Sequence, residues 1–168
     1  MKRKNFDEVA CPIARSLERV GERWSMLILR DAFYGITRFD DLVASLGIAP
    51  NMLSRRLTDL VGAGMLERRS YSEHPPRYEY VLTELGRDFH PVLISLLAWG
   101  NRHFAKEGPS TLIADRASGR VAEPVLVDIR TGAPISRSRH TVIPGPAADE
   151  RTRSRIDFRS TRLALSRG

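Results

Sequence analysis

Between Thr37 and Leu82 the chain carries, in order, a helix-start signal, an apolar helical stripe, a glycine stop, a proline start, a second stripe, and two strand-like runs around a Pro-Pro pair. Few folds accept that order. Thr37-Arg38-Phe39-Asp40 has the form of a capping box, in which the Thr hydroxyl satisfies a free backbone N–H and Asp40 reaches back. Phe39, Leu42, Val43 and Leu46 then share one helical face. Gly47 supplies a left-handed residue that ends this helix, and Pro50 opens the next where a missing N–H costs nothing. So short a connection makes two helices cross rather than lie side by side.

At about 100° per residue, the second helix gathers Leu53, Leu57 and Leu60 with Val61 alongside, and turns Asn51, Arg55 and Thr58 the other way. Asp59 lies near the outer face, and Ser54 and Arg56 flank the apolar stripe. Asn suits adenine, Arg suits guanine O6 and N7, and Ser tolerates several bases, so Asn51, Ser54 and Arg55 are the candidate base contacts. Any amphipathic helix has a polar outside, and this helix alone does not select DNA. The next segment is more telling. Leu66-Glu67-Arg68-Arg69-Ser70-Tyr71 and Tyr78-Glu79-Tyr80-Val81-Leu82 read as strands bracketing Ser72 to Arg77, whose Pro75-Pro76 pair marks an exposed loop. That hairpin carries Arg68, Arg69, His74 and Arg77 to where phosphates run if the preceding helix occupies a groove. With Arg38 and Arg56 these are the expected backbone contacts. A merely solvated hairpin explains the same charges, but its place beside the helix favours phosphate. The order is that of a winged helix-turn-helix.

A resemblance now emerges from Cys11-Pro12, Trp24 with Leu27-Ile28-Leu29-Arg30, Arg38-Phe39-Asp40-Asp41-Leu42, Met52-Leu53-Ser54-Arg55-Arg56-Leu57, Gly64-Met65-Leu66, the run from Pro75 to Gly86, and Trp99-Gly100. This ordered set, from Cys11 to about Phe104, resembles the HxlR-type branch of MarR-like bacterial transcription regulators. The resemblance implies an α+β, mostly α chain: a winged helix-turn-helix with a two-stranded β wing, a C-terminal dimerisation helix and a small β-rich extension. It also implies a homodimeric repressor that binds double-stranded DNA and answers to a small-molecule effector or to electrophile or redox stress. In one departure, Ala49 stands where the family usually has Ser or Thr. The side-chain cap is lost, leaving Pro50 and a hydrophobic staple from Ile48 to fix how the chain enters the helix.

Thr83 is expected to cap a helix in which Leu85, Phe89, Val92, Leu96, Trp99 and His103 recur at spacings of four and three, with Pro91 bending or restarting it. Such a seam packs on its own domain or, as the resemblance implies, on a second subunit. A dimer reads two half-sites, hence a pseudo-palindromic operator. Upstream, Ile13, Leu17 and Val20, then Trp24, Leu27, Ile28 and Ala32, read as core, so the DNA-binding domain is expected over residues 11–106. Residues 1–10 form a basic arm whose Lys2-Arg3-Lys4 either touches DNA or is simply solvated.

Cys11 is the one cysteine and the candidate redox or electrophile sensor. It precedes Pro12 at a helix start, where the helix dipole favours a thiolate, with Arg15 one turn on. A small cap or packing residue without sensory use is the plainer reading of the same position. No intramolecular disulfide is open to a single cysteine, leaving a link between subunits, a mixed disulfide or an adduct.

The chain has 168 residues and a net charge of +7, distributed as +2 over residues 1–112 and +5 over residues 113–168, so charge speaks only weakly for the winged helix. No apolar run approaches the roughly 18 residues that span a bilayer, and no signal peptide precedes the first helix, so cytoplasmic residence and no membrane partner are expected. Four scattered histidines, no phosphate-cradling glycine loop and no acid-base carboxylate pair argue against an enzyme, catalytic residues or a cofactor. The rival is a winged helix that docks proteins instead of DNA.

Residues 110–146 read as short strands, Thr111-Leu112-Ile113, Pro124 to Ile129 and Thr141-Val142-Ile143, between glycine and proline turns. The resemblance extends to longer relatives in which cysteines before such glycines form a zinc-ribbon knuckle. Ser118, Asp128 and Thr131 stand in those places here, so a degenerate, metal-free ribbon is expected. Residues 147–168, rich in Arg and Ser without period, read as a disordered tail.

Overall fold

The computed structural model describes the backbone of residues 6–165, with side chains to residue 158. Lys2-Arg3-Lys4 lies outside the described residues. Two compact units are present, one of Arg19–Leu126 and one of the described parts of Met1–Glu18 and Val127–Gly168. The β-rich stretch 110–146 is divided between the units.

In the larger unit, α2 (Arg23–Phe33), α3 (Phe39–Leu46) and α4 (Pro50–Gly62) surround a core of Ile28, Leu29, Ala32, Leu42, Ile48, Leu53, Leu57 and Leu60, closed by Met65 and Leu66. The apolar spacing of each helix turns its stripe inward. Phe39, Val43 and Leu46 pack at the edge of this core, as do Trp24 and Val61. Gly47 ends α3 at φ 60°, the left-handed region where a side chain would be strained. Ala49 gives α4 no side-chain cap, and Pro50 starts the helix with Ile48 buried behind it.

The capping box does not form. Arg38 is the N-cap residue of α3 and makes no side-chain cap bond. Thr37 is drawn instead into the wing: its hydroxyl donates to Glu79 Oε2 at 3.0 Å, its carbonyl accepts from the Tyr80 N–H at 2.8 Å, and Arg38 bridges Glu79. Pairing with a sheet edge satisfies more of the local polar groups than a lone cap, and it fastens the helix-turn-helix to the wing.

The wing is longer and tighter than its sequence suggested. Strand β1 (Leu66–Glu73) pairs antiparallel with β2 (Pro76–Leu82) from Leu66↔Leu82 out to Glu73↔Pro76, with an irregularity between Ser70 and Ser72. The expected loop from Ser72 to Arg77 shrinks to His74 and a cis Pro75, and the Ser72 hydroxyl closes it by donating to the Pro75 carbonyl at 3.0 Å. Pro76 is accommodated because it forms the last pair of an end where no further ladder bond is needed.

The apolar seam splits at Asp88 into α5 (Glu84–Arg87) and α6 (His90–Phe104), with Pro91 in the first turn of α6. Thr83 caps α5 by accepting from the Gly86 N–H at 3.0 Å. A Cβ on Gly86 would lie 2.1 Å from the Met65 carbonyl oxygen, so only glycine lets α5 sit against the start of the wing. Beyond α6, a small ladder joins β3 (Ile113–Ala114) to β4 (Val121–Ala122). The stretch from Pro124 to Ile129 forms only the bridge Val127↔Pro134, and residues 141–143 form no strand.

Helix α1 begins at Pro12 in the smaller unit and runs to Val20, past that unit's limit at Glu18. Ile13 and Leu17, expected as core, are exposed; of that face only Val20 is buried. Residues 6–10 fold back on α1, the Phe6 N–H donating to Glu18 Oε2 at 3.2 Å. The tail expected to be disordered forms α7 (Glu150–Leu165). Asp149 Oδ1 caps it through the Thr152 N–H at 2.8 Å, and the Thr152 hydroxyl anchors it by donating to the Ala10 carbonyl at 3.0 Å.

Candidate nucleic-acid interface

Asn51, Ser54 and Arg55 are all exposed on α4, Ser54 among them although the helical wheel set it beside the apolar stripe. Among the described residues Arg55 has no ion pair. Asn51 Oδ1 accepts from the Met52 N–H at 2.7 Å, which satisfies one of the orphan donors of the first helical turn and leaves the Nδ2 group to offer outward.

Arg56 does not join them. Its side chain is 9% exposed as a residue, its Nη1 donates to Asp59 Oδ2 at 3.0 Å, and its Nη2 lies 3.9 Å from Glu22 Oε2. A guanidinium so enclosed ties α4 to the chain entering α2 and is withdrawn from phosphate. The wheel placed it correctly beside the core stripe, but did not reveal the carboxylates that hold it.

Between the wing and the starts of α3 and α4 lies a groove of about 530 Å³ lined by Arg38, Ser54, Tyr71, Arg77 and Tyr78, with Asp40 and Asp41 making its charge mixed. Two of its tyrosines back arginines. The Arg38 guanidinium carbon sits 4.4 Å from the Tyr71 ring centroid and that of Arg68 sits 3.4 Å from Tyr78. Stacking of this type restricts the guanidinium without consuming its donors, so the positive edge stays free for an anion. Arg77 and His74 are exposed at the tip, and Arg77 has no ion pair among the described residues. Arg69 contacts Glu67 across 60% and 44% exposed side chains. A pair so exposed is worth about 0–1 kcal/mol and yields readily to a phosphate.

Of the seam residues, Leu85, Val92, Leu96 and Trp99 are exposed, at 53%, 49%, 45% and 52%, and His103 is exposed beside Trp99 with ring centroids 5.9 Å apart. Phe89 leaves the set, since it packs against the core of its own unit.

Cys11 is partly exposed at the start of α1. Its thiol is held below the ordinary cysteine value, chiefly by the Ala14 backbone N–H, and also by the Ile13 N–H and by the charge and hydrogen bond of Arg155, against some desolvation. The expected neighbour, Arg15, turns its Nε to the Val9 carbonyl at 2.9 Å. Arg155 was hidden because its segment read as a tail.

Two turns carry the glycines of the expected ribbon. Asp115 Oδ1 accepts from the Ser118 N–H at 2.8 Å and hydroxyl at 2.7 Å, followed by Gly119 at φ 68°. Asp128 accepts from the Arg130 N–H at 2.9 Å and the Thr131 hydroxyl at 3.0 Å, followed by Gly132 at φ 67°. Both carboxyls are held below the ordinary aspartate range, Asp115 chiefly by the Ser118 hydroxyl and Asp128 chiefly by the Arg130 N–H. Asp115 was missed, though the repeated pattern Asp-x-x-Ser/Thr-Gly was legible. Among the described residues no group of three or more His, Cys, Asp or Glu is placed to hold a metal, and no helix is long and apolar enough to cross a membrane.

The HxlR-like helix-turn-helix family model matches residues 19–108. The chain is 42% identical over 135 residues to the uncharacterised HTH-type transcriptional regulator Rv3095 of Mycobacterium tuberculosis, covering 80% of this chain and 85% of that one. PA1374 of Pseudomonas aeruginosa, a protein assigned as a transcription factor, is 53% identical with a TM-score of 0.63, over 87% of this chain and all (100%) of that one. The redox regulator HypR in its oxidised form is 30% identical with a TM-score of 0.52, over 55% of this chain and 97% of its own. With its α+β winged helix and a match spanning more than half its length, the chain belongs to the HxlR-like helix-turn-helix family of transcriptional regulators, which are not enzymes.

Proposed function

We propose that this chain is a cytoplasmic, homodimeric repressor that binds a pseudo-palindromic operator in double-stranded DNA, reads bases with Asn51, Ser54 and Arg55, and anchors on phosphates with Arg38, Arg68, Arg69, His74 and Arg77. The observation that carries this reading is the pairing of an exposed, uncompensated Arg55 on α4 with tyrosine-backed Arg38 and Arg68 beside it. Operator contact predicts two distinct mutant behaviours. Arg55→Ala costs about 1–3 kcal/mol and relaxes specificity at one base pair, whereas Arg68→Ala or Arg77→Ala weakens binding evenly across sequences and reduces the salt slope by about one. Both are read by titrating operator and scrambled duplexes over a salt series, with the operator taken from sequenced genomic fragments that the protein retains. Unchanged affinity in all three variants would sink the DNA reading and leave a protein-docking winged helix.

We assign Cys11 as the sensor on the support of its lowered thiol, its Arg155 neighbour and the similarity to a redox regulator. A thiolate is the reactive form toward oxidants and electrophiles. Cys11→Ser is expected to bind DNA like the reduced wild type and to lose its response to diamide or a quinone. Identical responses in both proteins return Cys11 to a packing role.

A further inference from the structure

In the smaller unit a hairpin bridged between Val127 and Pro134 carries the most exposed large apolar side chain among the described residues. Ile129, near its tip, is 95% exposed, and Arg130 beside it is exposed with no ion pair among the described residues. A loose loop would turn an isoleucine inward, because apolar surface in water is unfavourable. This loop is closed too firmly for that. The Asp128 N–H donates to the Ala133 carbonyl at 2.9 Å, the Gly132 N–H donates to the Asp128 carbonyl at 2.7 Å, and the Asp128 carboxylate takes the Arg130 N–H and the Thr131 hydroxyl. Backbone and acid are thus both engaged inside the turn, and Ile129 and Arg130 are held outward as a pair.

The surroundings of the tip specify the charge of a partner. From Ile129 to Ala148 the sequence has neither Asp nor Glu, while Arg130, Arg137, Arg139 and His140 all fall within it. Arg137 and Arg139 are exposed, without ion pairs among the described residues, on a second turn that the His140 N–H closes onto the Ser136 carbonyl at 2.9 Å. After the Arg130 N–H and the Thr131 hydroxyl, the charge of His140 also holds the Asp128 carboxyl low, so this second turn lies beside the hairpin. Residues 113–168 contain 11 arginines and no lysine. The guanidinium is the more weakly hydrated of the two cations, and it is the one that enters a narrow minor groove, where the negative potential of A·T tracts is strongest. One arginine and one aliphatic side chain at a hairpin tip suit a groove about 6 Å wide, where aliphatic side chains also wedge against base steps.

We propose that this tip is a minor-groove probe. Arg130 enters an A·T-rich minor groove in the DNA beside the operator, Ile129 packs against the sugars and base edges that line it, and Arg137 and Arg139 take adjoining phosphates. The inference rests on the DNA-binding reading above and adds a contact that does not involve α4.

The test uses the full-length protein with the bare operator and with the operator flanked on each side by about ten base pairs of A·T, of G·C or of inosine·C. Inosine lacks only the guanine amino group, so it alters the minor groove and keeps the major-groove pattern. Wild type is expected to bind the A·T-flanked and inosine-flanked operators about tenfold more tightly than the G·C-flanked one. Arg130→Ala and Ile129→Ser should each remove most of that gain, with bare-operator affinity and thermal midpoint unchanged because both side chains are exposed. Arg137→Ala combined with Arg139→Ala should weaken all three flanked duplexes alike. Equal affinity of wild type for the three flanks, or a flank preference that survives Arg130→Ala, overturns the inference and leaves the operator reading standing; a tip that serves a protein or lipid surface gives the first of these results. An A·T and inosine preference that persists on duplexes without any operator specificity ends the regulator reading and keeps the minor-groove contact.

Discussion

Two neighbouring arginines on α4 do opposite things because of a 100° rotation about the helix axis. Arg55 faces solvent, and Arg56 lies along the core edge with its charge divided between Asp59 and Glu22. The long apolar stem of Arg56 covers core surface while its head finds acids, so its removal costs packing as well as pairing. Asp59 is half-exposed, which limits the electrostatic share. Arg56→Met is therefore expected to lower stability by roughly 1 kcal/mol while leaving operator specificity intact, and Arg56→Ala by about twice that as the stem's contacts are lost. Urea denaturation measures the first effect and duplex titration the second. A selective loss of operator affinity in Arg56→Met, with the denaturation midpoint unmoved, would return this residue to the DNA interface. Asp31 poses the same lesson in reverse, being an acid in the middle of an apolar stripe whose partners, Arg30 beside it and Ser45 on the next helix, make its burial tolerable.

At the scale of elements, the two Asp-x-x-Ser/Thr-Gly turns are closed by their own side chains. In each, an ionised carboxylate collects a backbone N–H and a hydroxyl. Hydrogen bonds to the charged form depress the folded pKa below the reference value of 3.8. Their contribution is thus complete above that value and disappears as pH falls through the lower folded pKa. Carboxyl carbon NMR should show Asp115 and Asp128 titrating below an ordinary aspartate, and Ser118→Ala should raise the Asp115 midpoint without moving Asp128. Asp115 titrating at or above 3.8 would dissolve this account. The helix-turn-helix was legible because each of its helices has a stripe, a stop and a start within a few residues. What was not legible depended on partners distant in sequence: Thr37 looked like a cap until Glu79 and Tyr80 claimed it, and α7 looked like a tail until Thr152 met Ala10. Composition alone does not report a helix that is held by one cap and one long-range hydroxyl.

At the scale of the molecule, the larger unit leaves an apolar strip uncovered. Helix α6 has 15 residues and none of them is buried, although Val92, Leu96 and Trp99 recur at helical spacing and Leu85 precedes them on α5. Such a strip in water is unfavourable by about 25 cal/mol for every Å² of apolar surface, and pairing with a second copy removes it. A stable interface needs about 1,200–2,000 Å² in total, more than these four side chains supply alone, so the aromatic cluster of Trp99, His103 and Phe104 is expected to contribute. Phe89 should not be altered in testing this, because it serves the core of its own unit. Leu96→Asp with Trp99→Asp places two charges in the proposed seam and none in the core. Sedimentation should then show a folded monomer with an unchanged thermal midpoint at low concentration, against a dimer for wild type. Because two linked half-sites gain about 10²–10⁴ in avidity over one, operator affinity should fall by at least about a hundredfold, while binding to an isolated half-site is barely altered. A double variant that remains dimeric would move the interface elsewhere on the molecule; a monomeric variant with full operator affinity would show that one winged helix suffices and that the palindrome is not needed.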